Sequence, residues 1–277
     1  MNHVGIEYTE DQRSHWSRVY AADAAFFGEG PSEVARSALA RFQAEGVETV
    51  LELGCGQGRD TFFFAQSGLR VTALDYSPTA VETVAAIARA AGVSSRVTAR
   101  IHDLRQPLPF ADGTFDGCFS HMLLCMELTT EEIAFALGEI RRVLRPGGLN
   151  LFSVRSTFDK HYRAGVHRGE EIYDVGGFVV HFFSEEKIRR LASGYDVVEI
   201  SRVEEGSLPR DLFVVTLRTS AAAGLHPDRC IQEESTMADP MTKFQEFFDA
   251  TYGTDALDRK TKHLVALGAS LAAACDT

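Results

Sequence analysis

Short runs of apolar, often β-branched residues alternate along this chain with longer stretches in which apolar positions recur every three to four residues. The short runs predict strands over 47–53, 70–74, 96–102, 115–120 and 148–154, and the longer ones predict helices over 60–66, 78–91 and 130–144. Strands and helices taking turns in this way predict an α/β fold, a mostly parallel sheet with helices on both faces. Beyond 154 the pattern changes. A polar, glycine-bearing stretch over 155–177 leads into a short helix over 184–191, then strands near 195–203 and 211–217 with no helix between them. Two such strands in succession predict an antiparallel pair at the sheet's edge, for seven strands in all. Upstream, 10–39 reads as helix in two pieces broken at Phe27-Gly-Glu-Gly-Pro31, with Trp16, Tyr20, Phe26 and Phe27 as its aromatic positions. That segment either packs on the sheet or lies over a ligand as a lid.

The chemistry concentrates where the first strand meets its helix. Val50-Leu-Glu-Leu-Gly-Cys-Gly-Gln-Gly-Arg-Asp60 carries Gly54, Gly56 and Gly58 through the junction, where glycine lets the backbone turn tightly and admits a ligand against bare main chain. Asp75 ends the next strand and is followed by Tyr76-Ser-Pro78. A carboxylate there is placed to accept two hydrogen bonds from a ribose diol. The same outline describes a dinucleotide site, but that fingerprint, G-x-G-x-x-G, needs glycine where Arg59 stands. Glu52, just before the turn, also suits a cationic amino group better than a pyrophosphate.

With these residues in register, about 10–218 resembles the class I S-adenosylmethionine-dependent methyltransferases. The matching motifs are Glu52-Leu-Gly-Cys-Gly-Gln-Gly58, Asp75-Tyr-Ser-Pro78, His102-Asp-Leu104, Pro109-Phe-Ala-Asp-Gly-Thr-Phe-Asp116 and Leu144-Arg-Pro-Gly-Gly148. The resemblance implies a Rossmann-like, mostly parallel seven-stranded sheet and S-adenosyl-L-methionine as cofactor. It places Glu52 and the three glycines beside the methionine part, Asp75 on the ribose and Asp103 with Leu104 beside the adenine. Cys55, Tyr76, Ser77 and Ser120 complete the expected cofactor set. His121, just past the fourth strand, is the expected catalytic residue; a histidine hydrogen-bonded to backbone is the plainer alternative. Trp16, Tyr20 and Phe27-Gly28 upstream of the glycine turn also resemble the small-molecule branch that includes the tellurite-resistance and thiol methyltransferases. The acceptor would then be met by Arg155, Ser156, Asp159, His161, Tyr162, Arg163, His167 and His181, unless these belong to a solvated loop.

Composition narrows the partners. At 277 residues and 45 % hydrophobic, the chain has room for one large α/β domain and an appendage. A formal charge of −11 argues against a nucleic acid partner, whose phosphates are bound mainly by Lys and Arg. Arg141, Arg142 and Arg145 cluster near a predicted helix end, where interaction with the helix dipole accounts for them. Neither a secretory leader nor an apolar run of about 18–20 residues is legible, so no membrane contact and a cytoplasmic location are expected. Five scattered cysteines, Cys55, Cys118, Cys125, Cys230 and Cys275, form neither a disulfide framework nor a C-x-x-C zinc site, and no metal is expected. Convergence of thiolates on a metalloid is a matter of space, which spacing along the chain does not decide.

Methyl transfer from a sulfonium asks the protein mainly to hold acceptor, methyl and sulfur in line. A thiolate or a chalcogen oxyanion needs no base, whereas a hydroxyl acceptor does. The expected organisation is a helical cap over 1–40, the methyltransferase domain over 41–218, a linker over 219–240 and a helical appendage over 241–277. The appendage resembles the opening of the carboxymuconolactone decarboxylase and alkylhydroperoxidase family, through Tyr252-Gly-Thr-Asp-Ala-Leu-Asp-Arg-Lys-Thr-Lys262 and 264–275. In its peroxidase-type members a C-x-x-C pair acts with a histidine; Cys275 matches the first cysteine, and no second follows in this sequence. Leu257, Leu264, Leu271 and Cys275 form an apolar stripe at helical spacing, which packs on the first domain or a second chain or else stays partly disordered. Three functions remain open: transfer to a small-molecule acceptor (thiol, chalcogen or other metabolite), a bifunctional fusion with a thiol peroxidase, and S-adenosylmethionine binding without catalysis.

Overall fold

The computed structural model describes residues 9–23, 28, 30–175, 177–206 and 210–220. The chain divides into two units, Met1–Gly224 and Leu225–Thr277, and the description that follows is of the first. Phe26, Phe27, Cys230, all but the first two residues of the linker expected over 219–240, and the appendage with Leu257, Leu264, Leu271 and Cys275 lie outside the described residues.

Two helices lead the chain, α1 (Thr9–Ala22) and α2 (Glu33–Ala44). Then strand and helix alternate: β1 (Thr49–Leu53), α3 (Arg59–Gln66), β2 (Arg70–Asp75), α4 (Pro78–Ala90), β3 (Val97–Ile101), β4 (Phe115–His121), α5 (Thr130–Val143) and β5 (Leu144–Arg155). Local sequence sets the helix starts. Ser32, Ser77 and Thr129 each turn a side-chain oxygen onto a free N–H of the first turn, and Thr129 with Glu132 completes a capping box. Pro78 stands at the opening of α4, where its missing N–H costs nothing.

After β5 come β6 (Val166–Gly169), β7 (Ile172–Val175), β8 (Phe178–His181), α6 (Glu185–Leu191), β9 (Tyr195–Glu205) and β10 (Arg210–Thr219). The main sheet has the order β3-β2-β1-β4-β5-β10-β9, parallel from β3 to β5 and antiparallel at β10 and β9. The expected seven-stranded, mostly parallel sheet is thus present, and Thr219, expected in the linker, ends β10. Alternation along each strand divides the core between the two faces. Leu51 and Leu53 pack with Ile133, Ile140 and Phe213 on one side, whereas Val50 packs with Phe42, Phe64 and Phe119 on the other. The strand order reverses between β1 and β4, which opens a crevice beyond their carboxyl ends.

The stretch 155–177 is more ordered than its composition suggests. Strands β6, β7 and β8 form a separate antiparallel sheet with a small core of Tyr173, Val180 and Phe182. Each is four residues long and carries little alternation, so the period-2 signal is nearly absent. Among the described residues no helix is long and apolar enough to cross a membrane.

Candidate active site

A cavity of about 480 Å³ occupies the crevice. Its floor is the turn from β1 into α3, where Gly54, Gly56 and Gly58 take φ of 69°, 50° and 86°. The turn is pinned from outside: Gly54 and Cys55 donate to the Leu74 carbonyl at 2.8 and 3.0 Å, and Gly56 N–H donates to Asp75 Oδ2 at 2.9 Å. At Gly54 the φ of 69° demands glycine, and a Cβ there would also press on the Leu123 side chain, 2.9 Å away.

Four carboxyl groups surround this floor, each in a distinct setting. Asp75 accepts from Gly56 N–H and, at 2.9 Å, from Ser77 N–H, one bond per oxygen, which leaves lone pairs for a diol. Burial raises its pKa above the ordinary carboxylate range, against the pull of those N–H groups. Glu52 is buried and accepts from Thr61 Oγ1 at 2.5 Å. Burial, and then the neighbouring Asp60, push the Glu52 carboxyl up to about 8. Asp60 takes two bonds from Ser32, N–H at 2.7 Å and Oγ at 2.9 Å, which tie the start of α3 to the cap of α2. Asp103 is clasped by the Arg105 fork at 2.9 and 3.1 Å; although burial opposes it, this fork holds the carboxyl below its usual range.

Helix α1 forms the roof. Gln12, Trp16 and Tyr20 line the cavity, and the Trp16 ring lies 5.7 Å from those of both Tyr20 and Phe178. Packing and covering, alternatives at the level of sequence, are the same contact here. Arg13 reaches Asp103 at 3.6 Å, Ser17 Oγ meets Ser77 Oγ at 3.2 Å, and Gln57 donates to the carbonyls of Tyr20 and Asp23 at 3.3 and 2.7 Å.

The far wall follows β4 and consists of His121, Met122, Leu123, Met126, Glu127 and Leu128. The His121 side chain is 9 % exposed, with Nδ1 2.8 Å from Ser153 Oγ and Nε2 3.5 Å from Glu205 Oε2. Burial, then the cations Arg59 and Arg210, lower its pKa to about 3, so the ring is neutral near pH 7.

Of the expected site residues, Glu52, Gly54, Cys55, Gly56, Asp75, Tyr76, Asp103, Leu104 and His121 reach the cavity wall. Gly58, Ser77 and Ser120 do not line it. Gly58 instead caps α3 in the left-handed conformation, Ser77 caps α4, and Ser120 alternates with Phe119 and His121 and so points to the opposite face of β4. The stretch expected to meet the acceptor is also elsewhere: Arg155, Ser156, Asp159, His161, Tyr162, Arg163, His167 and His181 are absent from the wall. Arg155 forks onto Asp159 at 2.9 and 2.7 Å, Ser156 bonds Asp211, and His181 is buried between the Leu128 carbonyl and Lys187. Arg59, Asp60, Arg105 and the wall of Met122, Leu123, Met126, Glu127 and Leu128 line the cavity without being among the expected site residues; the Arg59-Asp60 pair following the third glycine is their one signal in the sequence. Cys55, Cys118 and Cys125 are buried free thiols raised above their ordinary range by burial, Cys125 to about 11, and all three are protonated near neutrality. The arginine cluster has partners beyond the helix dipole: Arg142 pairs with Glu139 at 2.7 Å and Arg145 with Asp116 at 2.9 Å.

A sequence family described as a methyltransferase domain matches residues 50–148, the segment holding the glycine turn, Asp75, Asp103 and His121. The chain has the class I S-adenosylmethionine-dependent methyltransferase fold. With this methyltransferase fold go several curated relatives. An uncharacterized methyltransferase from Synechocystis is 33 % identical over 102 residues, 37 % of this chain and 44 % of that protein. A malonyl-[acyl-carrier protein] O-methyltransferase from Serratia marcescens is 35 % identical over 108 residues, 38 % of each chain. A thiol S-methyltransferase from Homo sapiens is 38 % identical over 112 residues, 39 % of this chain and 43 % of that protein. The chain therefore spans less than half the length of these relatives. Among solved structures, the fold is similar to the 1,6-didemethyltoxoflavin-N1-methyltransferase of Burkholderia thailandensis, determined with bound S-adenosylhomocysteine. Its TM-score is 0.61 at 24 % identity, covering 79 % of this chain and 92 % of that one. It is likewise similar to the [4+2]-cyclase SpnF, with a TM-score of 0.59 at 19 % identity, covering 79 % and 96 %.

Proposed function

We propose that this protein transfers a methyl group from S-adenosylmethionine to a small-molecule acceptor. The observation that carries the reading is the joining, in one roofed cavity at the strand-order reversal, of a glycine floor, a buried Glu52 and an Asp75 with lone pairs to spare. The donor set fits the ligand part by part. Glu52 offers a negative charge, once ionised, to an ammonium; the bare turn admits the amino acid chain; and Asp75 suits a ribose diol. When bound, S-adenosylmethionine supplies a methyl group on a sulfonium, a leaving group that needs no further activation. The protein's share is to hold the partners in line and to exclude water, for which the α1 roof and the Met122, Leu123 and Met126 wall are suited.

The narrower acceptor class we favour is a thiol or chalcogen compound. A cavity lined by methionine, leucine and tryptophan is supportive, since soft, polarisable nucleophiles tolerate such a wall, and the human relative is named a thiol S-methyltransferase. A second reading has its own support: a [4+2]-cyclase has this fold, so the same cavity is compatible with chemistry other than methyl transfer. A fusion with a thiol peroxidase, self-association through 241–277 and the helical cap over 1–40 as a domain of its own are separate proposals; the first two rest on residues outside the described set.

The test is calorimetric titration of the purified chain with S-adenosylhomocysteine, with NAD as control. Micromolar binding of the former alone is expected. Binding of NAD in its place, or of neither, refutes the proposal.

A further inference from the structure

One buried chain of contacts beside the cavity is not needed to hold a nucleoside. Ser153 Oγ shares the Met122 N–H with its own backbone carbonyl, at 3.0 and 3.1 Å, and lies 2.8 Å from His121 Nδ1. On the other side of the ring, His121 Nε2 faces Glu205 Oε2 at 3.5 Å, and these two buried atoms have no hydrogen-bond partner of normal length. Residues far apart in sequence are brought together here by the sheet: His121 and Ser153 are partners across β4 and β5, and Glu205 ends β9 at the same edge.

The protons on this chain follow from the hydrogen bonds. Ser153 is fully buried, and a hydroxyl that accepted from both Met122 N–H and an Nδ1–H would leave its own proton undonated, at a cost of about 1–3 kcal/mol. Donation from the hydroxyl to Nδ1 satisfies all three groups. The ring proton then sits on Nε2, facing Glu205 Oε2; burial raises the Glu205 carboxyl above its ordinary range while Arg59, 3.9 Å away, opposes this, and against the ionised carboxylate the other tautomer would set a nitrogen lone pair. Both contacts select the same tautomer.

We propose that His121 is held by Ser153 and Glu205 as a neutral Nε2–H imidazole, that Glu205 is a positioning residue, and that the methyl acceptor attacks through a lone pair already free before it binds, giving no proton to His121. This rests on the methyl-transfer reading above. With one nitrogen accepting from Ser153 and the other carrying a proton toward Glu205, His121 has no basic site for an acceptor's proton. The acceptor's lone pair forms the bond to the methyl carbon as the carbon–sulfur bond breaks and its electron pair returns to sulfur; no proton passes to the protein. A carboxylate, the thiolate fraction of a thiol and the neutral form of an amine meet this requirement, and unactivated alcohols do not. Arg59, which lines the cavity, pairs with Glu205 at 3.9 Å and with Asp60 at 3.8 Å.

The charged groups around the dyad come from three elements: Arg59 and Asp60 on α3, Glu33 on α2 and Arg210, directly across from Glu205 on β10. The two arginines oppose a proton on the imidazole, which supports a ring that does not titrate near neutrality.

The experiment is ¹⁵N NMR of the histidine side chains, with and without S-adenosylhomocysteine. For His121 the expected spectrum has a protonated Nε2, an unprotonated Nδ1 and no change between pH 5 and 8. On a Ser153→Ala background, Glu205→Leu, which removes the oxygen opposite Nε2, is expected to mix the tautomers; Glu205→Gln, whose amide oxygen still accepts, is expected to restore the single one. A proton on Nδ1, titration of the ring within that window, or a Leu variant indistinguishable from wild type overturns the proposal. A kinetic arm follows transfer to 4-nitrothiophenol and benzyl mercaptan against pH. Each rise in kcat/KM is expected to follow the thiol's own ionisation, and one shared rise set by the enzyme refutes it. If neither thiol is methylated, the spectrum alone decides. Calorimetry with S-adenosylhomocysteine keeps the two failures apart, since a wrong tautomer leaves that binding intact and a wrong cofactor does not.

Discussion

Replacing Glu52 with glutamine is expected to stabilise the protein and weaken its hold on S-adenosylmethionine. The carboxyl is buried beside Asp60 and Asp75, and its pKa moves from an ordinary 4.5 to about 8. A folded-state pKa above the unfolded one means that the folded chain binds the extra proton between these limits. The contribution to stability is therefore fully present below pH 4.5 and is lost as pH rises through 8. Each pH unit in that interval is worth about 1.36 kcal/mol, so the penalty on the empty protein is about 3 kcal/mol at pH 7 and about 5 kcal/mol above pH 8. Glutamine keeps the shape and can still accept from Thr61 Oγ1, but has no charge to desolvate. Thermal melts of both proteins without ligand, from pH 4 to 8.5, test this. The melting temperatures should coincide near pH 4 and diverge by roughly 6–12 °C at pH 7, at about 2–4 °C per kcal/mol for a domain of this size. A gap that does not grow with pH, or a variant that melts below wild type at pH 8, refutes the reasoning. Affinity for S-adenosylmethionine should fall about ten- to hundredfold through loss of a charge-assisted bond to the ammonium.

Asp75→Ala should cost on the order of 2–3 kcal/mol of S-adenosylhomocysteine affinity by calorimetry, through the lost bidentate contact and the freed N–H groups of Gly56 and Ser77; unchanged affinity assigns the ribose to another group. Gly54→Ala, which forces a side chain into φ of 69° and against Leu123, should destabilise the chain by roughly 1–3 kcal/mol in urea unfolding and weaken the same ligand. Ser32→Ala removes both the α2 cap and a partner of Asp60, and about 1–3 kcal/mol of stability should go with it; an unaltered unfolding midpoint contradicts this role. Trp16→Ala should leave the fold intact, to be checked by circular dichroism, while raising the S-adenosylhomocysteine dissociation constant several-fold if the roof covers the ligand.

Much of the site is legible in the amino-acid sequence because its signals are local. A glycine turn between a strand and a helix can be read within eleven residues, and an acidic residue ending the next strand needs no partner to be noticed. The sheet is legible as a set of short apolar runs, although Val50 and Leu51 are both apolar and only the packed sheet sends them to opposite faces. Caps at Ser77 and Thr129 are written beside the helices they start, although Ser77 serves its helix and not the cavity wall.

Only the tertiary structure joins elements distant in sequence. Nothing near His121 in the chain announces Ser153 or Glu205, which meet it because β5 and β9 end at the same edge of the sheet. The polar run 155–181 reads as the acceptor's wall because hydrogen-bonding side chains can satisfy one another as well as a ligand, and Arg155 with Asp159 shows that they do. The methionine and leucine wall after β4 reads in sequence as ordinary core, since apolar periodicity carries no mark of whether the space it faces is filled. Short strands such as β6 to β8 have too few residues for a period to emerge. Local preference, carried by the backbone and its nearest neighbours, determines the elements and the glycine turn; which distant side chains converge on the cavity depends on strand order and register, and these are properties of the packed sheet.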